Sequence, residues 1–480
     1  KLLGNYSLLN PVVGEKGTYY PMATGSIRSA AAKEPDLTGF ADSRWKPGEV
    51  VTDAEGTQSV TFTTTINRSN KPYVRLEKTY VVRKFPPPAP EPEPRDDAAP
   101  PKPADRPDAH SFQVRLRAVN LTGREMEIVL TQFAAAGVPR EDIQNDRRTL
   151  AYGKLVKGTM DVLKVSAGKI QKIAPGLPGT QVGRSSGIDP VTWIGVTNKF
   201  FGVLTYIVPG PGSQTQAAPS AKASFFNAVV EETSSSRTFL PVITLGPYRI
   251  APGQAKQINL DVFAGPKKRS VFDSGLYESL KYKDSLDFGG CPCAFAPLSL
   301  AMMWLLEFFS KVMLGNYGLA IVLLVVLVRL CLHPLTKRGQ VAMMSMQKLQ
   351  PEMARIKEKH KNDKAKLNEE ITALYKKGGF KPMLGCLPMV LQMPIWIALW
   401  TGLQASVELR HAAFLPVWIT DLAAPDALID FGKVLFVFPM VGPISSFNLL
   451  PLLLAVAMFL QQKYSPQAAA PTATPEKQST

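Results

Sequence analysis

Between Leu314 and Leu332 the chain reads LGNYGLAIVLLVVLVRLCL, nineteen residues whose only charge is Arg329. At 1.5 Å per residue, a helix of that length covers roughly 29 Å, close to the thickness of a bilayer's hydrocarbon core. Hydrocarbon offers no partner to an unpaired N–H or C=O, so such a segment must be a helix whose backbone bonds are internal. Two later stretches carry the same signal, about Met383 to Leu403 (MLGCLPMVLQMPIWIALWTGL) and, shorter, about Phe447 to Gln462 (FNLLPLLLAVAMFLQQ). Transmembrane helices are therefore expected at 314–333, 383–403 and 447–463. The preceding stretch, CAFAPLSLAMMWLLEFFSKVML, is interrupted by Glu307 and Lys311 and begins near Pro297. It reads as a helix lying in the membrane interface, with a full crossing as the alternative.

The loops orient these spans. Residues 335 to 382 hold a dozen Lys and Arg, whereas residues 404 to 446 hold only Arg410 and Lys433 against four Asp and Glu. Positive charge collects on the cytoplasmic side, which makes 334–382 cytoplasmic, 404–446 external and 464–480 a cytoplasmic tail. Within the first loop Met343, Met346, Leu349, Met353 and Ile356 recur at three- and four-residue steps, and Leu367, Ile371 and Leu374 repeat the pattern after Lys361, Asn362 and Asp363. Two antiparallel helices would pair these stripes, with a kink or break at Pro351 and a stop at Gly378 and Gly379.

Residues 1–270 differ. Short runs alternate apolar and polar side chains, as in Val60, Phe62, Thr64, Ile66 and in Ile258, Leu260, Val262, and Gly, Pro and Asn break them. That is the pattern of half-buried antiparallel strands and predicts a β-sandwich outside the membrane. The Pro-rich, charged stretch at 85–110, which includes His110, cannot bury a core and is expected to be a disordered insert. Residues 271–313 are expected to be interfacial amphipathic helices, with Leu276, Tyr277 and Leu280 at helical spacing. The fold class is thus an all-β domain followed by an α-helical transmembrane bundle with a cytoplasmic helical hairpin. The chain opens on Lys1 without a charged n-region and apolar h-region, and an external β-domain requires such a segment ahead of it.

The net charge of +16 raises the question of nucleic acid, but the densest basic stretch lies between two apolar segments, the place for a membrane-flanking loop. No specific nucleic acid is expected. Cys291, Cys293, Cys331 and Cys386 are too few and scattered for a disulfide framework or zinc site, and Cys331 and Cys386 read as small buried thiols. Gly183, Arg184, Ser185, Ser186 and Gly187 fit a nucleophile-elbow string but sit in a Gly/Pro/Ser-rich loop rather than between strand and helix. His110, His333, His360 and His411 are dispersed, and no phosphate loop occurs, so neither an enzyme nor a cofactor or metal is expected.

Several longer motifs are more specific. VRLCLHPLTKRG (328 to 339), LQPEMARIKEKHKNDKAKLNEEITALYKKGG (349 to 379), LGCLPMVLQMPIWIALW (384 to 400), SVELRHAAFLPVWITDL (406 to 422) and FLQQKYSP (459 to 466) resemble the YidC/Oxa/Alb family of membrane protein insertases, in its bacterial form with a large periplasmic domain. WIGVTNKFF (193 to 201) and INLDVFAGPK (258 to 267) resemble that domain more weakly. The family also has an N-terminal anchor helix and two more core helices after a segment like TPEKQST.

The residues alone leave Arg329 open: an arginine in a span faces protein, water or a partner, or it snorkels to the inner boundary. Gln392, flanked by Pro388 and Pro394, fits either a wet groove or a helix–helix hydrogen bond. The resemblance implies that Arg329 and Gln392 line a hydrophilic groove open to cytoplasm and lipid, and that Met393 and Trp396 belong to an apolar slide for the substrate's hydrophobic segment. The Met stripe and positive charge of the basic hairpin suit docking of a nascent segment, anionic lipid headgroups or the ribosome, carried by Met343, Met346, Lys357, Lys359 and Lys361. The resemblance further implies a monomeric insertase and chaperone of the bacterial inner membrane. Its expected partners are nascent integral membrane proteins, the Sec translocon, ribosomes and membrane lipids. The rival readings are a membrane-anchored carbohydrate-binding protein, which would cluster exposed aromatics on a concave face, and a channel or transporter, which would carry polar residues through to both faces.

Overall fold

The computed structural model describes residues 12–14, 17–19, 22–29, 37–38, 45–68, 70–83, 110–135, 137–139, 148–166, 191–210, 221–229, 237–273, 275–286, 296–360, 364–377, 387–415, 418–424, 426–431, 436–438, 442–444 and 446–464. The expectations for 85–109, Gly183 to Gly187, Cys291, Cys293, Lys361, Gly378, Gly379 and Cys386 fall outside these residues. The chain divides into two units, Lys1–Asp287 and Phe288–Thr480.

The first unit is the expected all-β sandwich. Its seven-stranded sheet runs, in order, Gly17–Tyr19, Val12–Gly14, Ala221–Val229, Arg237–Ile250, Met126–Phe133, Thr24–Ser29 and Leu37–Thr38. The nine-stranded sheet runs Thr159–Ser166, Thr149–Val156, Trp193–Thr197, Phe201–Val208, Ala255–Pro266, Ser111–Asn120, Lys71–Val82, Gln58–Arg68 and Lys46–Thr52. Alternation builds the core directly: Val74 and Leu76, Val114 and Leu116, and Ile258, Leu260 and Val262 point inward and meet Ile27, Ile128, Leu130, Ile243 and Leu245. The weaker motif at 193–201 is strand Trp193–Thr197 and the turn into Phe201–Val208, which in turn pairs with the strand of the other weaker motif, Phe201 opposite Pro266 and Val208 opposite Asn259. Asn198 makes the turn between Trp193–Thr197 and Phe201–Val208. Its Oδ1 accepts from the backbone N–H of Phe200 and Phe201 at 3.0 and 2.7 Å, and its Nδ2 donates to Pro139 O at 2.9 Å.

Strands Trp193–Thr197 and Phe201–Val208 are buried on both faces, because residues 269–286 form a further layer outside the large sheet. Tyr277, Leu280 and Tyr282 pack there with Trp193, Phe263 and Phe272. Trp193 Nε1 donates to Leu280 O at 3.0 Å. Gly153 lies directly beneath the indole, where any Cβ would collide with Nε1. In place of one helix at 276–286 there are two short turns, Gly275–Ser279 and Tyr282–Ser285, broken at Lys281; Tyr277 and Leu280 meet the β unit and are buried by protein aromatics, while Leu276 is exposed. His110 also departs from expectation. It sits at the start of strand Ser111–Asn120, edge-on to Phe263 at 6.2 Å, over Gly265 where no side chain competes for the space.

The second unit holds helices α1 (Ala296–Val312), α2 (Tyr317–Lys359), α3 (Lys364–Lys377), α4 (Leu387–Ala405) and α5 (Leu449–Tyr464). Met302, Leu306 and Phe309 of α1, Tyr317, Ala320, Leu324 and Val328 of α2 and Leu399 and Leu403 of α4 share one cluster with Leu409 and Leu422. Ser299 and Thr401 hydroxyls meet at 2.9 Å across α1 and α4. The loop at 406–422 closes this cluster: Phe414 fills the space left by Gly318, and Asn316 caps α2 by accepting from Leu319 N at 3.0 Å. Among the described residues one helical segment, Tyr317–Lys337, is long and apolar enough to cross a membrane.

Helix α2 runs without a break from the apolar segment through Pro351 into the first arm of the basic hairpin, 43 residues in all. Cys331 is exposed, not buried. It follows the packed residues Leu324 and Val328 along the same stripe, but the cluster ends at Val328 and nothing described covers the next turn.

Candidate functional site

Arg329 lies twelve residues after Tyr317, about 18 Å along α2. A hydrocarbon core of roughly 30 Å counted from Tyr317 would leave about 12 Å beyond Arg329, a long reach for snorkelling. The arginine is exposed. It points about a third of a turn away from the packed stripe of Ala320, Leu324 and Val328, among the exposed valines 322, 325 and 326. Among the described residues no acidic group pairs with it and no hydrogen bond joins it to Gln392. Its charge is therefore uncompensated among the described residues.

Helix α4 sorts its residues by face. At 100° per residue, Gln392, Met393, Trp396 and Trp400 occupy one sector about 100° wide. All four are exposed, while Ala398 and Gly402 on the opposite side are buried and Gly402 approaches Ser299 of α1. Trp396 and Trp400 stack at 6.0 Å with 18° between ring planes. Trp400 was not singled out from the sequence, although its four-residue offset from Trp396 is the helical signal that would have found it. The candidate residues thus form a continuous strip, one polar amide followed by a thioether and two indoles, and Pro394 within the helix removes a backbone donor beside it. Such a strip can hydrogen-bond at one end and slide past apolar groups along the rest. The structure brings Gln392, Met393 and Trp396 together and leaves Arg329 on the exposed face of the neighbouring helix.

The basic hairpin is described in part. Met353 and Ile356 on α2, and Leu367 and Ile371 on α3, are half-buried between exposed Lys and Glu, as paired stripes should be. Lys359 Nζ lies 3.6 Å from Glu370 Oε1, with His360 Nε2 3.1 Å from the same oxygen, which ties the arms near their turn. Lys357 and Lys359 are exposed. Met343 and Met346 lie on α2, but their side chains are outside the described residues.

Comparison with known proteins bears on both units. A model of the YidC periplasmic domain matches residues 106–305, and a model of the 60Kd inner membrane protein matches residues 308–480. The chain is similar to proteins named membrane protein insertase YidC: 35% identical over 279 residues to that of Pelobacter propionicus, covering 58% of this chain and 46% of that one. The protein of Syntrophobacter fumaroxidans is 32% identical over 283 residues (59% and 46%), and that of Rickettsia bellii is 35% identical over 287 residues (58% and 48%). The chain spans a little under half the length of these curated relatives. A solved galactose mutarotase-like protein from Lactobacillus casei is 12% identical and covers 51% of this chain and 82% of its own, with a TM-score of 0.30, too low to bear on ligand or activity.

Proposed function

From the premise that the chain belongs to the YidC family of membrane protein insertases, whose two domains together match most of its length, we propose that it inserts and folds integral membrane proteins in the bacterial inner membrane without catalysing a covalent step. The observation that carries this reading is the exposed strip Gln392, Met393, Trp396, Trp400 on α4, with Arg329 exposed on α2, the helix packed against it. A buried polar group without a partner costs several kcal/mol in hydrocarbon. A wet surface at mid-membrane lowers that cost for the polar tail of an incoming chain, and the adjacent Met and Trp side chains give its apolar segment a lipid-like path. Nascent membrane proteins are the substrates in this reading, with the Sec translocon, ribosomes and anionic lipids as partners of a monomer.

The same reading crosses the membrane with Tyr317–Lys337, α4 and α5, places the β unit in the periplasm and the α2–α3 hairpin in the cytoplasm. Two results are expected. A membrane-impermeant maleimide added to intact cells labels Cys291 but not the variant Lys361→Cys; the opposite pattern inverts the topology. Deleting residues 344 to 377 in the full-length protein, with a short Gly/Ser bridge, leaves normal amounts of membrane protein but slows insertion of a single-span substrate scored by protease protection. Unchanged insertion would remove the hairpin from the function.

A further inference from the structure

The external loop before α5 contains a feature that the insertase reading does not use. Strand Ala427–Asp430 pairs antiparallel with Ser446–Asn448, and Phe436–Phe438 pairs with Gly442–Ile444. Ile429 and Phe447 stand directly opposite one another and so share a face, and they are 54% and 42% exposed. Ser446 and Asn448, the neighbours of Phe447, turn to the other face and are half-buried, with Ser446 Oγ 3.0 Å from Asn448 Oδ1. Around Phe447 the ribbon thus exposes its apolar pair and half-buries its polar neighbours, and Leu428 at the bulge is exposed as well.

The exposed apolar surface continues along the chain. Every side chain of α5 lies outside the core, and Phe447 leads straight into it. Asp426 Oδ2 accepts from Leu450 N at 2.6 Å, which fastens the first strand of the ribbon to the first turn of the helix. The helix alone is short: its 16 residues cover about 24 Å, some 6 Å less than the hydrocarbon core. In the membrane reading α5 is a span, and the apolar exposure passes without interruption from it onto one ribbon face, so the lipid at the outer end of the helix extends onto Ile429 and Phe447.

We infer that this ribbon is a membrane-surface element, lying along the external boundary of the bilayer with Ile429 and Phe447 in the acyl region and Ser446 and Asn448 turned away from it. Its unpaired strand edges confine it to the hydrated headgroup zone, since open edges are not tolerated in hydrocarbon. The ribbon supplies apolar side chains where α5 runs out of length and sets how far the helix sits towards the outside. The inference rests on the membrane reading above, in which α5 is a span.

The test uses full-length protein in vesicles of phosphatidylethanolamine and phosphatidylglycerol, with the native cysteines replaced by serine. Nitroxides are attached at Ile429→Cys, Phe447→Cys and Ser446→Cys and, as a reference at the middle of α5, at Val456→Cys. Electron paramagnetic resonance then compares collisions with oxygen, which favours lipid, and with a water-soluble nickel chelate. Positions 429 and 447 are expected to follow position 456 in favouring oxygen, and position 446 to favour nickel. Nickel access at 429 and 447 with 456 shielded would overturn the inference and leave the membrane reading intact. Exclusion of both reagents at 429 and 447 would overturn it in favour of a protein partner. Nickel access at 456 itself would remove the membrane reading, and the inference with it.

Discussion

Arg329→Leu in the full-length protein is expected to abolish insertion of substrates with acidic external tails while leaving the variant at normal abundance. Leucine suits a helix face made of Val322, Val325 and Val326, so the substitution should not harm folding, and if the arginine only snorkelled it would be neutral or stabilising. If the guanidinium instead holds water and attracts carboxylates at mid-membrane, the loss is functional. Arg329→Lys keeps the charge but not the planar fork of donors, and should retain part of the activity. The measurement is protease protection of a short single-span substrate in cells depleted of the native insertase, with membrane levels of each variant checked. Normal insertion by the leucine variant would refute the role given to Arg329.

A second large effect concerns stability. Lys78 sits at an inward position of strand Lys71–Val82, only 4% exposed. Its Nζ donates to Met22 O at 2.7 Å and lies 5.3 Å from the centre of the Trp45 ring. Burial lowers its pKa from the ordinary 10.5 to about 7. The unfolded chain keeps this proton up to about pH 10.5 and the folded chain only to about pH 7. Between those limits unfolding takes up a proton, so stability rises with pH, and at pH 7 and below the full cost of the buried charge is present. Lys78→Met removes that cost. Met22 O keeps a donor in Gln132 Nε2, so the variant is expected to be more stable at pH 6–7 by on the order of 2 kcal/mol, after allowing for the lost hydrogen bond and ring contact. The gain should shrink towards pH 10. Urea unfolding of residues 1–287 across this range checks it; a pH-independent difference would show that the charge is not the cause.

Much of the sandwich was legible because the period-two pattern survives in strands such as Ser111–Asn120, where Val114, Leu116 and Ala118 turn inward. The same alternation places Lys78 inward, after Val74 and Leu76, but charge alone reads as an outward residue, and only the polar cluster of Met22 and Gln132 explains how it is accommodated. Strand Phe201–Val208 could not be interpreted locally, since its second buried face depends on aromatics around residue 280. For the same reason Tyr277 and Leu280 were assigned to a membrane surface: amphipathic spacing reports an apolar stripe, not what covers it. On α4 the three- and four-residue offsets among Gln392, Met393, Trp396 and Trp400 carry their shared face, but the resemblance that singles out Met393 and Trp396 says nothing of Trp400. How Arg329 faces them is a tertiary question that no periodicity within α2 can answer.

The unbroken course of α2 has a mechanical consequence. Forty-three residues make a helix about 65 Å long, seated by Phe414 near its N-terminal end and carrying the basic arm at its far end. Pivoted at the seat as one body, a tilt of about one degree carries the tip through about 1 Å, and Arg329, about 18 Å from the pivot, through roughly a quarter of that distance. In the membrane reading proposed above, a load applied at the hairpin thus reaches Arg329 attenuated and through a single helix, with Pro334 and Pro351 as the places where that lever can yield.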